Sequence, residues 1–476
     1  MQRVLSAPRL AALLGDFDRS PAWRGLTDAL REVISDGRVP VGMRLPSERD
    51  LTVSLDLSRT TVTRAYAELR DQGFLTSRQG SGSIASLPKA LGRGDHLLTP
   101  GTVSDKCIDL TCAAGPATSG LAPAFQRALE ALPSYLADTG YYPSGLPDLQ
   151  RAIADTYEAR GLRTDPQQIL VTPGAMAAIA IAARAVLGNG SRALVESPTY
   201  PNAIATLERA PSRVVGVDAD DASWGTAVAD ALRQVRPTAA YLIPDFHNPT
   251  GALRDDADRE RVAAAARKTD TLLIVDESLY LLDLRGAGAR RPAPLTTTSS
   301  ISIGGLSKAY WGGLRIGWMR VPPTLLDDVV RSRIRLDLGA PVLEQLVALE
   351  LLRDGYTGLA HRQSHLTTSR DAALAAVQEH LPDWEVTRPE GGLSLWCRLP
   401  QAKSSALVSA AERHDVLLAP GPMFAPEGGL DRYLRIPFAM GADQLTEGIR
   451  RIGVAWAEVS QQRGRAQRAP SRTLVA

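Results

Sequence analysis

Residues 302–318 read SIGGLSKAYWGGLRIGW. Five glycines in this stretch exclude an ordinary helix, because glycine costs about 1 kcal/mol relative to alanine inside one. Ser300 to Ile303, by contrast, has the β-branched character of a short buried strand. Lys308 lies just beyond that strand, and Arg315 follows seven residues later. A lysine there is either a solvated loop charge or an amine kept desolvated for chemistry. The surrounding chain decides between them.

Strand-like runs recur on the N-terminal side: QILVT (168–172), RALVE (192–196), AAYLIP (239–244), TLLIVD (271–276) and SSISIG (299–304). Helical stretches such as GAMAAIAIAARAVLG and DADRERVAAAARK separate several of them. This alternation predicts an α/β sheet with polar chemistry in loops at strand ends. Each candidate residue stands at such an end. TPGAMAAI places Gly174 and Ala175 where a strand turns into a helix, and free N–H groups there favour a phosphate. ESPTYPN holds Tyr200 between prolines, in a stiff loop suited to keeping an aromatic ring over a flat ligand. PDFHNPTGA puts Asn248 before Pro249, and IVDES ends a strand on Asp276, whose burial requires a cationic partner.

Taken singly, each of these features reads as a turn, a packed ring or a loop charge. Taken in this order, they suit a pyridine aldehyde phosphate. Such a cofactor needs a lysine amine for a Schiff base and a carboxylate opposite its ring nitrogen. It also needs a donor to its phenolic oxygen, an aromatic over the ring, and a helix N-terminus with arginine for the phosphate.

The order resembles that of fold-type-I aminotransferases across roughly residues 108–455. The resemblance implies that Lys308 forms the Schiff base with pyridoxal 5′-phosphate, and that Arg315 clamps the phosphate with help from Ser307, Gly174 and Ala175. It further implies that Asp276 faces the ring nitrogen, Asn248 the phenolic oxygen, and Tyr200 the ring face. Gly312 and Gly313 would let the backbone pass close to the phosphate. In RYLRIPFA, Arg435 corresponds to the arginine that holds an amino acid's α-carboxylate, a planar bidentate pairing that lysine does not reproduce. Several positions depart from the pattern. Gly305 replaces a common Ser or Thr, Met176 replaces a polar phosphate contact, and Leu279 stands where a DxxY tyrosine is usual, with Tyr280 one place late. The tyrosines Tyr141 and Tyr142 are out of step with the one that reaches a partner subunit's cofactor.

The first 84 residues have a different texture, with twelve arginines, ten acids and no lysine. Ser20-Pro21 opens a helix whose Trp23, Leu26, Leu30, Val33 and Ile34 share a face, and Ser47 opens a second with Asp50 three residues on. Ser58 caps a third, which buries Val62, Ala65, Tyr66 and Leu69, stops at Gly73, and leaves Arg59, Thr60, Thr63 and Arg64 outward. FLTSRQGSGSIAS then reads as two short strands around a glycine-rich tip. This is the layout of a winged helix-turn-helix, whose third helix enters the major groove; a small helical interaction domain with solvated arginines is the other reading. RLPSER, SRTTV, GFL and GSGS stand at the spacing of GntR-type regulators, and the stretch resembles their DNA-binding domain over about sixty residues. The resemblance implies base or phosphate contacts from Arg49, Ser58, Arg59 and Thr63, and wing contacts from Arg78, Gln79 and Gly80.

The expected organisation is therefore a winged helix-turn-helix (α+β) at 1–84, a linker at 85–106, an α/β fold-type-I aminotransferase-like domain at 107–458, and a basic tail at 459–476. Together these resemble the MocR subfamily of GntR-type regulators. That implies a head-to-tail homodimer on a double-stranded DNA operator, with an amine or amino-acid effector sensed through pyridoxal phosphate at Lys308. An aminotransferase with an accessory DNA-binding domain is the competing reading. A third is a regulator whose large domain serves only as a dimerisation scaffold. Charged residues make up 22% and hydrophobic residues 44%, and the formal net charge is +2, which is ordinary for a soluble chain. Cys107, Cys112 and Cys397 form no CxxC pair, so neither a disulfide framework nor a cysteine metal site is expected. No window approaches a membrane span, and the expected location is the cytoplasm.

Overall fold

The structure is a computed structural model describing residues 5–35, 38–39, 42–78, 82–86, 107–218, 223–286, 294–295, 300–356 and 358–461. Gln79 and Gly80, most of the expected linker, and the tail beyond residue 461 lie outside the described residues.

The N-terminal domain comprises α1 (Ala7–Leu14), α2 (Ala22–Ser35), α3 (Glu48–Leu55), α4 (Arg59–Asp71) and a hairpin of β1 (Leu75–Arg78) with β2 (Gly82–Ala85). Its caps follow the sequence chemistry. The Ser47 hydroxyl accepts from the Asp50 amide at 3.2 Å and starts α3, and the Ser58 hydroxyl accepts from the Thr61 amide at 3.1 Å and starts α4. Gly73, at φ +81°, ends α4 in the left-handed region that a side chain would resist. Leu26, Leu30, Val33, Leu51, Val62, Ala65, Tyr66 and Leu69 form one core. Helix α1 was not anticipated: Leu10 and Leu14 bury themselves in that core, a tertiary gain invisible in an eight-residue run.

The large domain opens with β3 (Ile108–Asp109), α5 (Leu121–Ala131) and α6 (Pro147–Glu158). Next come β4 (Ile169–Thr172), α7 (Ala175–Val186), β5 (Ser191–Ser197), α8 (Pro201–Arg209), β6 (Ser212–Asp218) and α9 (Trp224–Val235). β7 (Ala239–Leu242), α10 (Asp256–Thr269), β8 (Leu272–Asp276), β9 (Ser300–Gly305) and β10 (Gly317–Arg320) complete the sheet, in the order β4-β10-β9-β8-β7-β5-β6. β10 is antiparallel to both neighbours, and the other pairings are parallel.

Both faces of this sheet are covered, which explains the uninterrupted apolar runs. In β8, Leu272 and Ile274 join the core beneath α7 and α8, whereas Leu273 and Val275 join the one beneath α9 and α10. The five strands read from sequence are present within a residue or two. β6 and β10 were not read: β6 is a half-exposed edge strand interrupted by Gly216, and β10 is a four-residue return.

Beyond that sheet, α11 (Leu326–Ile334) packs on α7, α12 (Val342–Arg353) on α5 and α6, and α13 (Leu359–His380) on the last helix of the chain, and a small second sheet follows. That sheet is β11 (Glu385–Val386), β12 (Ser394–Arg398), β15 (Tyr433–Pro437) and β14 (Ala419–Pro420), in that order. α14 (Ser404–Glu412) precedes β13 (Val416–Leu417), which pairs in parallel with β3. The last helix, α15 (Ala442–Gln461), extends three residues into the stretch expected as tail. All three cysteines are free. Among the described residues, no helix is long and apolar enough to cross a membrane, and no cluster of His, Cys, Asp or Glu could hold a metal ion.

Candidate functional site

The C-terminal ends of the parallel strands and the loops behind them gather the residues singled out from sequence, as doubly wound sheets do. Lys308 follows β9, and its Nζ donates to the carbonyl of Ala113 at 3.2 Å. Burial lowers its pKa below the ordinary lysine range; the charges of Arg435 and Arg315 act in the same direction, while Cys112 and Asp276 oppose it. The amine is thereby shifted toward its neutral, nucleophilic form.

Asp276 ends β8 and is buried. One of its oxygens accepts from the Ser278 amide at 2.8 Å and the other from the Tyr241 hydroxyl at 2.7 Å. Burial, then the charge of Asp276, raises the Tyr241 hydroxyl well above the usual tyrosine range, so it remains a donor. Asn248 lies in the loop after β7, and its side-chain oxygen accepts from Arg435 Nη1 at 3.4 Å. Tyr200 caps α8 and its hydroxyl accepts from Asn202 Nδ2 at 3.0 Å.

Arg435 stands in the middle of β15 and is wholly buried. It donates to the Thr111 carbonyl through Nη2 and lies 5.1 Å from the Phe424 ring centroid. Burial lowers its pKa to about 10, which leaves the guanidinium charged at neutral pH. Among the described residues its Nε has no hydrogen-bond partner, and neither has the buried Ser307 hydroxyl. Such orphans are uncommon in a folded interior and mark places where an external acceptor fits.

The residues expected to cradle a phosphate lie at the start of α7. The first amides of that helix have no intrahelical acceptor, and Arg315 Nη2 donates to the Pro173 carbonyl at 3.0 Å beside them. A Cβ on Gly174 would lie 2.6 Å from that Nη2, and one on Gly317 would lie 2.6 Å from the Gly174 carbonyl carbon. Two backbones thus meet closely at Gly174 and Gly317, a contact not anticipated from sequence. Gly313 instead gives room to the Trp311 indole, and nothing lies within 4 Å of a Cβ on Gly312. The DxxY departure is real in three dimensions. Leu279 is buried in the core, and the Tyr280 hydroxyl meets that of Tyr356 at 3.1 Å beneath the Arg160 guanidinium.

Sequence reasoning missed the support behind these residues. Tyr241 was detectable as the one hydroxyl in a fully buried aliphatic strand, since a buried O–H must find a partner. Glu196 accepts from Trp224 Nε1 at 2.6 Å and from the Ile243 amide at 2.8 Å, with His247 Nε2 at 3.5 Å. Burial works against its charge, but His247 and Arg254 hold its carboxyl below the usual range. His247 also meets the Thr250 hydroxyl at 3.0 Å, so the Asn248 loop is braced from both sides.

In the N-terminal domain, Arg49 and Arg59 are exposed and have no acidic partner among the described residues. Ser58 and Thr63 are exposed but engaged, Ser58 as the α4 cap and Thr63 as a donor to Glu48 Oε2 at 2.6 Å. Arg64 is exposed, and its guanidinium stacks 3.8 Å from the Trp23 ring centroid. Arg78 ends β1 opposite Gly82.

Comparison with known proteins agrees with both halves. Residues 120–452 match the family described as aminotransferase class I and II, and residues 24–84 match bacterial regulatory proteins of the gntR family. The uncharacterized HTH-type transcriptional regulator YdfD of Bacillus subtilis is 25% identical over 92% of this chain and 97% of its own. The probable rhizopine catabolism regulatory protein MocR of Rhizobium meliloti is 27% identical over 84% of this chain and 86% of its own. Among solved structures, LysN, an α-aminoadipate aminotransferase from Thermus thermophilus complexed with N-(5′-phosphopyridoxyl)-L-leucine, superposes with a TM-score of 0.66. It is 27% identical and covers 75% of this chain and 93% of its own.

Proposed function

The chain belongs to the class I and II aminotransferase family and is a transcription regulator of the MocR type, with a GntR domain in front. On that basis we propose that it senses an amine or amino acid through pyridoxal phosphate held at Lys308. The observation that carries this reading is the convergence of Lys308, Asp276, Asn248 and Arg435 in a site with two orphaned donors, in a chain that also presents an α4 of GntR type. Pyridoxal phosphate, when bound, supplies an aldehyde at which the lysine and an incoming amine exchange. The rest is the work of the protein's own groups. Lys308 offers a largely desolvated amine, Asp276 a carboxylate for the ring nitrogen, and Asn248 an amide for the phenolic oxygen. Tyr200 would lie against the ring face, and Ser307, Arg315 and the α7 amides would hold the phosphate. Arg435, with its Nε unpartnered, receives the effector's carboxylate in a bidentate pairing.

The effector acts on DNA binding only to the extent that it prefers one arrangement of the chain over another. The working unit in this reading is a cytoplasmic head-to-tail homodimer on paired half-sites, which α4 reads through Arg59 with Arg49 beside it. The test is absorbance of the purified protein with the vitamer. A visible band that an amino acid shifts, and that Lys308→Ala removes together with the borohydride-trapped adduct, supports the sensor. Colourless wild-type protein refutes it. Persistence of Lys308, Asp276, Asn248 and Arg435 as one set also favours a second reading, residual transamination. A kcat near the enzyme norm of about 10 s⁻¹ with amino-donor and keto-acid panels would establish that activity.

A further inference from the structure

The edge of the seven-stranded sheet opposite the cofactor site carries arginines that the reading above does not use. β5 and β6 run parallel with Arg192 directly beside Arg213. Both are exposed and flank a cleft whose other lining residues are all uncharged. Like charges on adjacent strands, about 4.8 Å apart, destabilise a sheet unless a counter-ion joins them. The helices that return to this edge end on further exposed arginines: Arg184 in the last turn of α7, Arg209 in the last turn of α8, and Arg236 as the cap of α9.

Complementing helix dipoles accounts in part for those three. It does not account for Arg192 and Arg213, which stand on strands. Among the described residues, none of the five arginines has an ion-pair partner. The acids nearest in sequence are turned to other partners or lie elsewhere: Glu208 is already engaged, Glu196 is buried against Trp224 Nε1 and the Ile243 amide, Asp230 pairs with Arg233, and Asp218 stands at the far end of β6.

We propose that this edge binds the phosphate backbone of duplex DNA outside the half-sites read by the winged domain. β5 spans seven residues, about 23 Å, so a ligand at its start is remote from the cofactor end. Five guanidinium groups spread along one edge without counter-charge suit a polyanion better than a single phosphate, and the arginine fork matches phosphate oxygens. The inference rests on the DNA-binding reading above, and the test separates the two.

Full-length protein carrying the vitamer is titrated by fluorescence anisotropy with random-sequence duplexes of about 20 and about 80 bp across a range of KCl. The salt slope falls by roughly 0.9 for each phosphate that the protein ceases to neutralise. Arg192→Gln with Arg213→Gln is expected to lower the slope by about 2 on the long duplex and to leave the short one unchanged. An unchanged slope on the long duplex, or an equal drop on both, overturns the assignment. Protection of these arginines from phenylglyoxal by pyrophosphate but not by the long duplex overturns it in favour of a small soluble phosphate. Arg59→Ala reports separately on the winged domain. If it leaves the short-duplex affinity unchanged, the α4 reading fails, while the result on the long duplex still decides this one. An unaltered visible band and melting temperature in the double variant show that the surface change has not disturbed the fold.

Discussion

Replacing Tyr241 with phenylalanine removes one atom, 2.7 Å from a buried carboxylate oxygen. Tyr241 is fully buried in β7, and the ring keeps its packing between flanking strands, so no cavity larger than a hydroxyl results. What disappears is a hydrogen bond to a charged acceptor, worth about 1.5–3 kcal/mol. Asp276 keeps the Ser278 amide on its other oxygen. Its carboxylate is then held by one donor instead of two where the cofactor's ring nitrogen is to sit. If that support is expressed in cofactor binding, the Kd for pyridoxal phosphate rises about 10- to 100-fold, by the conversion of 1.4 kcal/mol per decade. The assay is equilibrium titration of vitamer-depleted protein, followed by the visible band and by quenching of tryptophan fluorescence. Thermal melting without the vitamer serves as the control for a purely structural effect. A Kd within twofold of wild type, in protein that melts normally, would show that Asp276 needs no support from β7 and refute the argument.

Three further outcomes follow from the geometry. Arg435→Lys keeps a charge but loses the planar fork, so affinity for an amino-acid effector should fall at least 10-fold while that for a simple amine changes little; equal losses for both would contradict the carboxylate role. Gly174→Ala places a Cβ at φ +89° and 2.6 Å from Arg315 Nη2, which should cost about 1–2 kcal/mol of backbone strain and weaken phosphate binding. Gly312→Ala, whose Cβ would meet no protein atom within 4 Å, should cost no such strain, and calorimetric melts of both variants check the contrast. Glu412 is half-buried with an unpartnered oxygen, and burial raises its carboxyl from 4.5 to about 7. The folded state therefore keeps a proton that the unfolded state releases, and stability declines as pH rises through that interval. Glu412→Gln should flatten this part of the melting-temperature profile and stabilise the protein at pH 8 by on the order of 1 kcal/mol or less, given its exposure. A profile with the wild-type slope would count against it.

Much of this protein is legible along the chain because the deciding signals are local. Ser47 and Ser58 cap the helices they precede, Gly73 ends one, and apolar runs such as LLIV mark strands covered on both faces. Lys308, Asp276 and Asn248 stood out because each residue type suits one chemical task beside a strand end, and Arg435, in mid-strand, because of the RYLRIPFA pattern. Sequence could not show how those tasks are supported, because the partners are distant in the chain. Asp276 depends on Tyr241, thirty-five residues away, and Arg435 on the Thr111 carbonyl, 324 residues away. Close backbone approach at Gly174 and Gly317 was not anticipated, because only the packing of β10 against the start of α7 fixes where two backbones meet. The edge strand β6 and helix α1 draw their stability from neighbours rather than from their own patterns. The chain itself therefore determined the chemistry available to the protein. The tertiary structure decided which donors are already spent within the fold and which remain open to a ligand, since a hydrogen bond made to one partner is no longer available to another.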